Sequence, residues 1–198
     1  MIHNSKNISL LGTHGTCVTH AKSIEKTGFT RVGVGRHGTG LYLWYANRNM
    51  QEALKLAKCW AKDAKKRGDY KNCTERAPAA FECKLNTDAN YFLDLNDDDT
   101  NELFQDYIRE HIDILKNPKH GTEKQRAAKV ADAFIQDLEE HIENKIKVVK
   151  TKTIAPHSYL GTGRNRNIPA EYLGLNRVNC LVVYDLNTID PHSVKRVL

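Results

Sequence analysis

The stretch Asn179-Cys180-Leu181-Val182-Val183-Tyr184-Asp185 gives the clearest β-strand signal in the sequence, because apolar and β-branched residues dominate it. A second strand is predicted near the other terminus, over residues 8–13, where a short apolar run is closed by glycine. Two long stretches with apolar residues at helical spacing, 49–68 and 123–145, lie between these strands. Strands at both ends with helices between and beside them predict an α+β domain.

Shorter signals complete this organisation. A helix is predicted over residues 16–26, ending at Thr27-Gly28, and another helical region is predicted from the carboxylates at 97–99 to Pro118. Residues 33–40 and 156–174 are rich in glycine and predict loops. We therefore expect one domain over residues 1–198 with a helical insert at about 100–145. Further strands are predicted over 41–45, 79–85, 91–95, 145–154 and 193–198.

The composition is that of an ordinary globular protein, with 40% hydrophobic and 27% charged residues among 198. A net charge of +6 favours polyanionic partners but says nothing about chemistry. No apolar run approaches the roughly 18 residues that a membrane helix needs, and the N-terminal residues carry no secretory signal. The five cysteines include no pair at two-residue spacing, so we expect reduced thiols and no metal. Together with the missing apolar run and secretory signal, reduced thiols predict a cytoplasmic location and no membrane contact.

The segment Gly33-Val34-Gly35-Arg36-His37-Gly38 matches the dinucleotide-binding pattern G-x-G-x-x-G. That pattern works only between a strand and a helix N-terminus, where backbone amides meet a pyrophosphate. Here a helix precedes the glycines and an aromatic strand follows them, and Lys58 stands where an acidic ribose ligand is needed. We therefore reject a Rossmann site and expect a flexible loop.

Three segments stand out together: Thr13-His14-Gly15-Thr16, Gly38-Thr39-Gly40-Leu41-Tyr42-Leu43, and the C-terminal strand quoted above. The set resembles the ADP-ribosyltransferases of the diphtheria-toxin and poly(ADP-ribose) polymerase group. Their signature is H-G-[TS], a helix ending in G-F, G-x-G-[IL]-Y, and a late strand N-E-x-[IV]-V-Y-D. The match covers residues 11–45 and 177–198. It implies an ADP-ribosyltransferase fold, with a split, mostly antiparallel sheet and flanking helices, and NAD+ as a substrate.

The resemblance assigns roles to individual residues. His14 would bond the adenosine ribose, the backbone of Gly15 would pair with the nicotinamide carboxamide, and Tyr42 would stack on the nicotinamide ring. Breaking the nicotinamide–ribose bond passes through an oxocarbenium-like state, so a site must fix the ring and stabilise positive charge. Taken singly, His14 reads as a helix cap and Tyr42 as a core residue. The remaining candidate NAD+-binding residues are Thr13, Thr16, Arg36 and Tyr45.

Two departures from the family pattern stand out. Cys180 occupies the position of the family's glutamate, and a register shift of one would place Asn179 there. Neither supplies negative charge, which leaves Glu171, in the preceding loop, as the best candidate carboxylate. The second stacking tyrosine is also missing, and its candidate substitutes are Trp44, Tyr45 and Trp60. By the resemblance, polymer synthesis is not expected, while transfer of a single ADP-ribose stays open.

Basic residues suggest the acceptor. Guanidinium groups suit phosphate oxygens, so Arg164, Arg166 and Arg177 are candidate acceptor-binding residues, and RNA or DNA is slightly favoured over protein. Small bacterial members of the family are frequently toxins in phage-defence or toxin–antitoxin modules, which implies an intracellular effector with an antitoxin protein as one candidate partner. Two alternatives stay open: a catalytically silent NAD+ or ADP-ribose-binding module, and a nucleic-acid-binding protein. Two further basic groups are residues 55–71 of one helix and Lys145, Lys147, Lys150 and Lys152.

Overall fold

The computed structural model describes residues 6–47, 49–160 and 177–198, which form an α+β arrangement, as predicted. Eight strands form one sheet in the order β5-β6-β7-β3-β1-β4-β8, with β2 paired to β3. Every described pairing is antiparallel except that of β5 with β6. The strands are β1 (Asn7–Cys17), β2 (Gly33–Gly35), β3 (Gly38–Tyr45), β4 (Pro78–Asp88), β5 (Phe92–Asp94), β6 (Val148–Ile154), β7 (Arg177–Val183) and β8 (Lys195–Arg196).

Helices cover the sheet, and their ends follow the capping residues in the sequence. The Asn49 side chain caps the first turn of the helix Met50–Arg67, which is followed by Gly68 in the left-handed conformation. The helix that follows Gly121 opens with a capping box between Thr122 and Gln125. The helices are α1 (Val18–Thr27), α2 (Met50–Arg67), α3 (Asp98–Glu110), α4 (Ile112–Lys116), α5 (Glu123–Ile142) and α6 (His157–Leu160).

One face of the sheet, which we call the α2 face, packs against α2, α3 and α5. Trp44 of β3 lies in a buried cluster with Ala57 of α2, and Val182 of β7 lies in another with Phe134 of α5. These clusters bury apolar surface on both sides of each helix–sheet contact, which is the main favourable term in folding. Among the described helices, none combines the length and apolar character that a bilayer span requires.

The opposite face, which we call the α1 face, packs against α1 and the C-terminal segment. Leu43 of β3 and Leu181 of β7 share a buried cluster with Ile189, and Phe81 of β4 packs against Ala21 of α1. Because successive strand residues point to opposite faces, these clusters fix which side chains each strand presents to each side.

The glycine-rich residues 33–40 form a β-hairpin, so the prediction of a flexible loop there was wrong. Gly33 pairs with Gly40 and Gly35 with Gly38, leaving Arg36 and His37 in a two-residue turn. Gly38 has φ +109°, a conformation that favours glycine, and the hairpin leads directly into β3.

Candidate functional site

Strands β1 and β3 are paired over only two residue positions, Gly12↔Tyr45 and Thr13↔Trp44. Beyond them, β1 continues to pair with β4 on its other side, whereas β3 pairs with β7. The sheet therefore divides between these two strands. We call this division the β1–β3 opening, bordered by residues 14–16 of β1 and 40–43 of β3.

The backbone of Gly15 faces the opening. Leu11 O accepts a hydrogen bond from Ala46 N, just beyond β3 (2.9 Å), and backbone groups alternate along a strand. Thr13 and Gly15 therefore direct their N–H and C=O groups to the same side as Leu11. At Gly15 the described register with β3 has already ended. The candidate carboxamide-binding backbone is thus at the edge of the opening.

Helix α2 also approaches β1 closely at Gly15. A Cβ at this position would lie 2.0 Å from the carbonyl oxygen of Ala57 and 2.8 Å from its carbonyl carbon. Glycine is required here because a helix backbone occupies the place of a side chain. The close approach of α2 is thus a reason for glycine at this position that is separate from the ligand contact that the resemblance gives to the Gly15 backbone.

His14 bridges the two strands at the opening. Its Nδ1 lies 3.1 Å from the carbonyl oxygen of Tyr42, and its ring meets Phe29 edge-on at 5.4 Å. A carbonyl can only accept, so Nδ1 carries the proton in this contact, and Nε2 of the neutral ring is left as an acceptor. Burial lowers the pKa of His14, which favours this neutral form at pH 7. His14 does not cap α1, whose N-cap residue is Cys17.

The rings of His14 and Tyr42 lie on opposite faces of the sheet. Phe29, the ring neighbour of His14, packs against the clusters of the α1 face, whereas Tyr42 packs against those of the α2 face. The contact that joins the two residues is made by the Tyr42 backbone. The structure thus brings His14 and Tyr42 into contact, but their imidazole and phenol rings lie on opposite faces of the sheet and do not enclose one ligand-sized space.

The hairpin formed by β2 and the start of β3 covers the phenol of Tyr42. Its hydroxyl donates to Gly38 O (2.8 Å) and accepts from His37 N (3.0 Å). A Cβ at Gly35 would lie 2.1 Å from the Tyr42 ring, so glycine lets the hairpin backbone rest on it. Burial raises the pKa of Tyr42 well above its usual value, so the phenol keeps its proton.

Asp132 of α5 fixes the same hairpin and was not singled out by the sequence. One carboxylate oxygen accepts from Thr39 N (2.7 Å), and the other accepts from Thr39 Oγ1 (2.7 Å). The Tyr184 hydroxyl donates to Asp132 (3.1 Å) and approaches His37 O (3.3 Å). Since Thr39 and Asp132 are 93 residues apart, only the folded chain reveals this contact.

Cys180 lies on the α2 face of β7, opposite Trp44 in register, and is buried. Burial raises the pKa of its thiol to about 12, so Cys180 is neutral at pH 7 and supplies no charge. Asn179 accepts a hydrogen bond from Asn96 (3.4 Å). Glu171, Arg164 and Arg166 lie outside the described residues.

The other candidate NAD+-binding residues already have partners. Thr13 Oγ1 donates to Ala53 O of α2 (2.7 Å), and Arg36 forms an exposed ion pair with Glu123 (3.1 Å). Tyr45 packs on the α1 face, with the ammonium of Lys150 5.7 Å from its ring centre. Thr16 Oγ1 lies 3.4 Å from His20 Nδ1. Within the described residues, the groups of the predicted set at the opening without a partner on another element are the Gly15 backbone and Nε2 of His14, whose Nδ1 contacts the carbonyl oxygen of Tyr42.

Of the proposed substitutes for the missing tyrosine, Trp44 and Trp60 meet edge-on at 6.2 Å. Trp44 is buried against α2, and the Arg67 guanidinium lies 4.8 Å from the Trp60 ring centre. Trp44 is thus a core residue, whereas Trp60 is exposed and packs against Trp44 and Arg67. Arg177 begins β7 and is exposed, and its charge contributes to lowering the pKa of His37, after burial and Arg36.

The basic groups differ in how far they are neutralised. Lys147 pairs with Asp185 and Lys150 with Asp94. On α2, no carboxylate in the described part of the chain lies within ion-pair distance of four lysines. This unpaired group, which we call the α2 basic surface, consists of Lys58, Lys62, Lys65 and Lys66.

Two cavities lie away from His14. One of about 510 Å³ lies beside the hairpin, with Thr39, Asp132 and Tyr184 in its wall. The other, of about 350 Å³, lies between the start of β1 and the end of β4, with Ser9 and Asn86 in its wall.

Comparisons with protein-family models, curated proteins and solved structures found no match to this chain.

Proposed function

We propose that this chain is an NAD+-dependent mono-ADP-ribosyltransferase with an ADP-ribosyltransferase fold, and that the nicotinamide end of NAD+ binds at the β1–β3 opening. The observation that carries the proposal is the early end of β1–β3 pairing, beyond which the Gly15 backbone and the His14 imidazole border one gap. The resemblance implies a split, mostly antiparallel sheet, and a sheet that divides between β1 and β3 supports the proposal.

The backbone of Gly15 suits a carboxamide. Nicotinamide carries one amide C=O and one NH2, which can accept from a backbone N–H and donate to a backbone C=O. At an unpaired strand edge both backbone groups of one residue point the same way, so a single residue supplies both contacts. These two hydrogen bonds would fix the orientation of the nicotinamide ring.

The imidazole of His14 suits a ribose hydroxyl. With Nδ1–H donated to Tyr42 O, neutral Nε2 accepts from a hydroxyl group. Tyr42 contributes its carbonyl oxygen to this arrangement, while its ring supports the hairpin. This assignment differs from the stacking role that the resemblance implies for Tyr42.

The transfer is a substitution at the ribose anomeric carbon. The bond to the nicotinamide nitrogen breaks and its electron pair leaves with nicotinamide, while a nucleophilic atom of the acceptor bonds to that carbon and releases its proton to solvent. A neutral Cys180 supplies no charge to stabilise the oxocarbenium-like state, so Glu171 stays the candidate carboxylate for that role. By the family resemblance, a chain without the glutamate at the position of Cys180 is expected to transfer a single ADP-ribose and not to elongate a polymer.

The direct test incubates the purified full chain with NAD+ labelled in the adenylate phosphate, together with separate pools of RNA, DNA and cell protein. We expect label in one pool and the release of one nicotinamide for each label incorporated. Intact NAD+ with label in none of the pools would contradict the transferase. Heat-denatured protein is incubated in parallel, as the control for labelling that does not require the folded chain.

A catalytically silent NAD+-binding module is the second candidate, favoured by the neutral thiol of Cys180 at the position of the family's glutamate. It predicts saturable NAD+ binding by calorimetry with no nicotinamide released. The transferase predicts both binding and release. The absence of both would leave the nucleic-acid-binding interpretation.

The α2 basic surface supports a nucleic-acid acceptor, which yields a second prediction. Reversing three of its exposed charges with Lys62→Glu, Lys65→Glu and Lys66→Glu should lower labelling of RNA or DNA by about tenfold or more at 0.15 M salt. Each lost phosphate contact should also reduce the log–log slope of binding against salt concentration, by about 0.9 for duplex DNA and about 0.7 for a single strand. NAD+ hydrolysis without an acceptor should not change.

The matched control reverses three exposed lysines at the start of α5 and just before it: Lys119, Lys124 and Lys129. It makes the same change in net charge at a different place. Equal losses of labelling in the two triple variants would show that overall charge, and not the α2 basic surface, attracts the acceptor.

A further inference from the structure

Three potential metal ligands converge where β1 passes into α1. Cys17 is the last residue of β1, His20 lies in the first turn of α1, and Cys73 lies between α2 and β4. Their Sγ and imidazole nitrogen atoms all lie within 4.8 Å of one another. The sequence hid this group, because Cys73 is 53 residues from His20 and no C-x-x-C pair marks it.

The separations suit tetrahedral coordination. Zn–S and Zn–N bonds of about 2.3 and 2.05 Å at a tetrahedral angle place sulfur and nitrogen about 3.6 Å apart. The observed distance between Cys73 Sγ and His20 Nε2 is 3.5 Å. The Cys73 thiol and the His20 imidazole thus have nearly the spacing that one ion requires, and the Cys17 thiol lies within 4.8 Å of both.

The other nitrogen of His20 has the partner that a ligand histidine normally has. His20 Nδ1 lies 3.4 Å from Thr16 Oγ1, so Nδ1–H can donate to the hydroxyl and leave Nε2 directed toward Cys73. Tyr70 meets the His20 ring edge-on at 6.0 Å and restricts its rotation. The imidazole is held in the tautomer and orientation that coordination needs.

We propose that Cys17, His20 and Cys73 bind one Zn2+ ion. Binding takes up two thiolates and a neutral imidazole and releases the two thiol protons. The fourth position is filled by water, since Cys17 is fully buried while Cys73 and His20 are partly exposed and open the group to solvent. This inference is independent of the proposed transferase activity.

The ion would add to the bonds that already join α1 to the connection between α2 and β4, which include the Lys22–Glu75 ion pair. Thr19 N and Val18 N donate to Glu75 O and Ala77 O, which links the start of α1 to the connection between α2 and β4. A metal bound by both Cys73 and Cys17 would fix the same connection against β1, at a position three residues after His14. The site is therefore expected to stabilise the strand that carries the candidate functional residues.

The test measures metal content and metal spectra of the full chain, purified under reducing conditions without chelator. We expect one zinc per chain by elemental analysis. After removal of zinc, added Co2+ should produce the visible bands of a tetrahedral site and the near-ultraviolet thiolate charge-transfer band. Cys73→Ser and His20→Gln, both at incompletely buried positions, should each weaken Co2+ binding by at least about tenfold.

Cys59→Ala is the matched control, since Cys59 is a buried cysteine of α2 outside the group, and it should keep both zinc and the Co2+ spectrum. A chelator should lower the melting temperature of the parent protein and of Cys59→Ala but not that of Cys73→Ser. Substoichiometric zinc with no Co2+ spectrum would overturn the proposal. So would a Cys17–Cys73 disulfide by mass spectrometry whose reduced form takes up no metal.

Discussion

Gly15→Ala is expected to lower the free energy of unfolding by about 3 kcal/mol or more, at or beyond the upper end of the usual cost of overpacking a core. The added methyl carbon would lie 2.0 Å from Ala57 O, and the obstructing atoms belong to a helix backbone. A flexible side chain could rotate away, but here α2 as a whole has to move from β1. Urea unfolding followed by circular dichroism measures the change.

Gly33→Ala is the control for the general effect of a glycine substitution in a strand. A Cβ at Gly33 meets nothing within 4 Å, and its backbone is not in the left-handed region. We expect its stability to stay within about 0.5 kcal/mol of the parent protein. If Gly15→Ala were equally mild, the close contact between β1 and α2 would be refuted.

This result would also separate two reasons for one glycine. The family resemblance assigns Gly15 to a ligand through its backbone N–H and C=O, which point along the sheet toward β3. The structure adds a reason that acts perpendicular to the sheet, through the missing Cβ. A strand residue between a helix and an opening can satisfy both, because its backbone groups and its side chain point in different directions.

The sequence predicted the elements of this fold better than their assembly. Capping residues such as Asn49 and Thr122 act within four residues, so the helix starts near them followed from local patterns. The hairpin at residues 33–40 was missed because its support comes from Asp132 and Tyr184, which are distant in sequence. A glycine-rich segment predicts a loop when the distant residues that support it in the folded chain are not known.

The candidate site shows the same division. The H-G pair and the late strand were identified by motif, but the face of each ring depends on the register between β1 and β3. That register put His14 on the α1 face and the Tyr42 ring on the α2 face. No local pattern reports the order of strands in a sheet, so the sequence could name these residues without showing how they meet.

His14→Asn is expected to reduce NAD+ affinity and nicotinamide release by at least about tenfold, equivalent to about 1.4 kcal/mol, while leaving the fold intact. An asparagine amide reaches about as far as Nδ1 and can keep the donation to Tyr42 O, but nothing then occupies the position of Nε2. His14→Ala removes both functions and leaves a carbonyl without its donor. His14→Ala should therefore also lower the free energy of unfolding by roughly 1–3 kcal/mol.

The pH dependence gives the same histidine an independent test. Burial lowers the pKa of folded His14 below its usual 6.5, so the acceptor nitrogen Nε2 is available at neutral pH. Acidification below 6.5 protonates the unfolded chain first, so the stability that His14 contributes declines from there down to its folded pKa. NAD+ binding through Nε2 should decline lower, around the folded pKa itself, and His14→Asn should remove that part of the profile. If parent and variant had the same affinity and the same acid profile, the imidazole would have no part in binding NAD+.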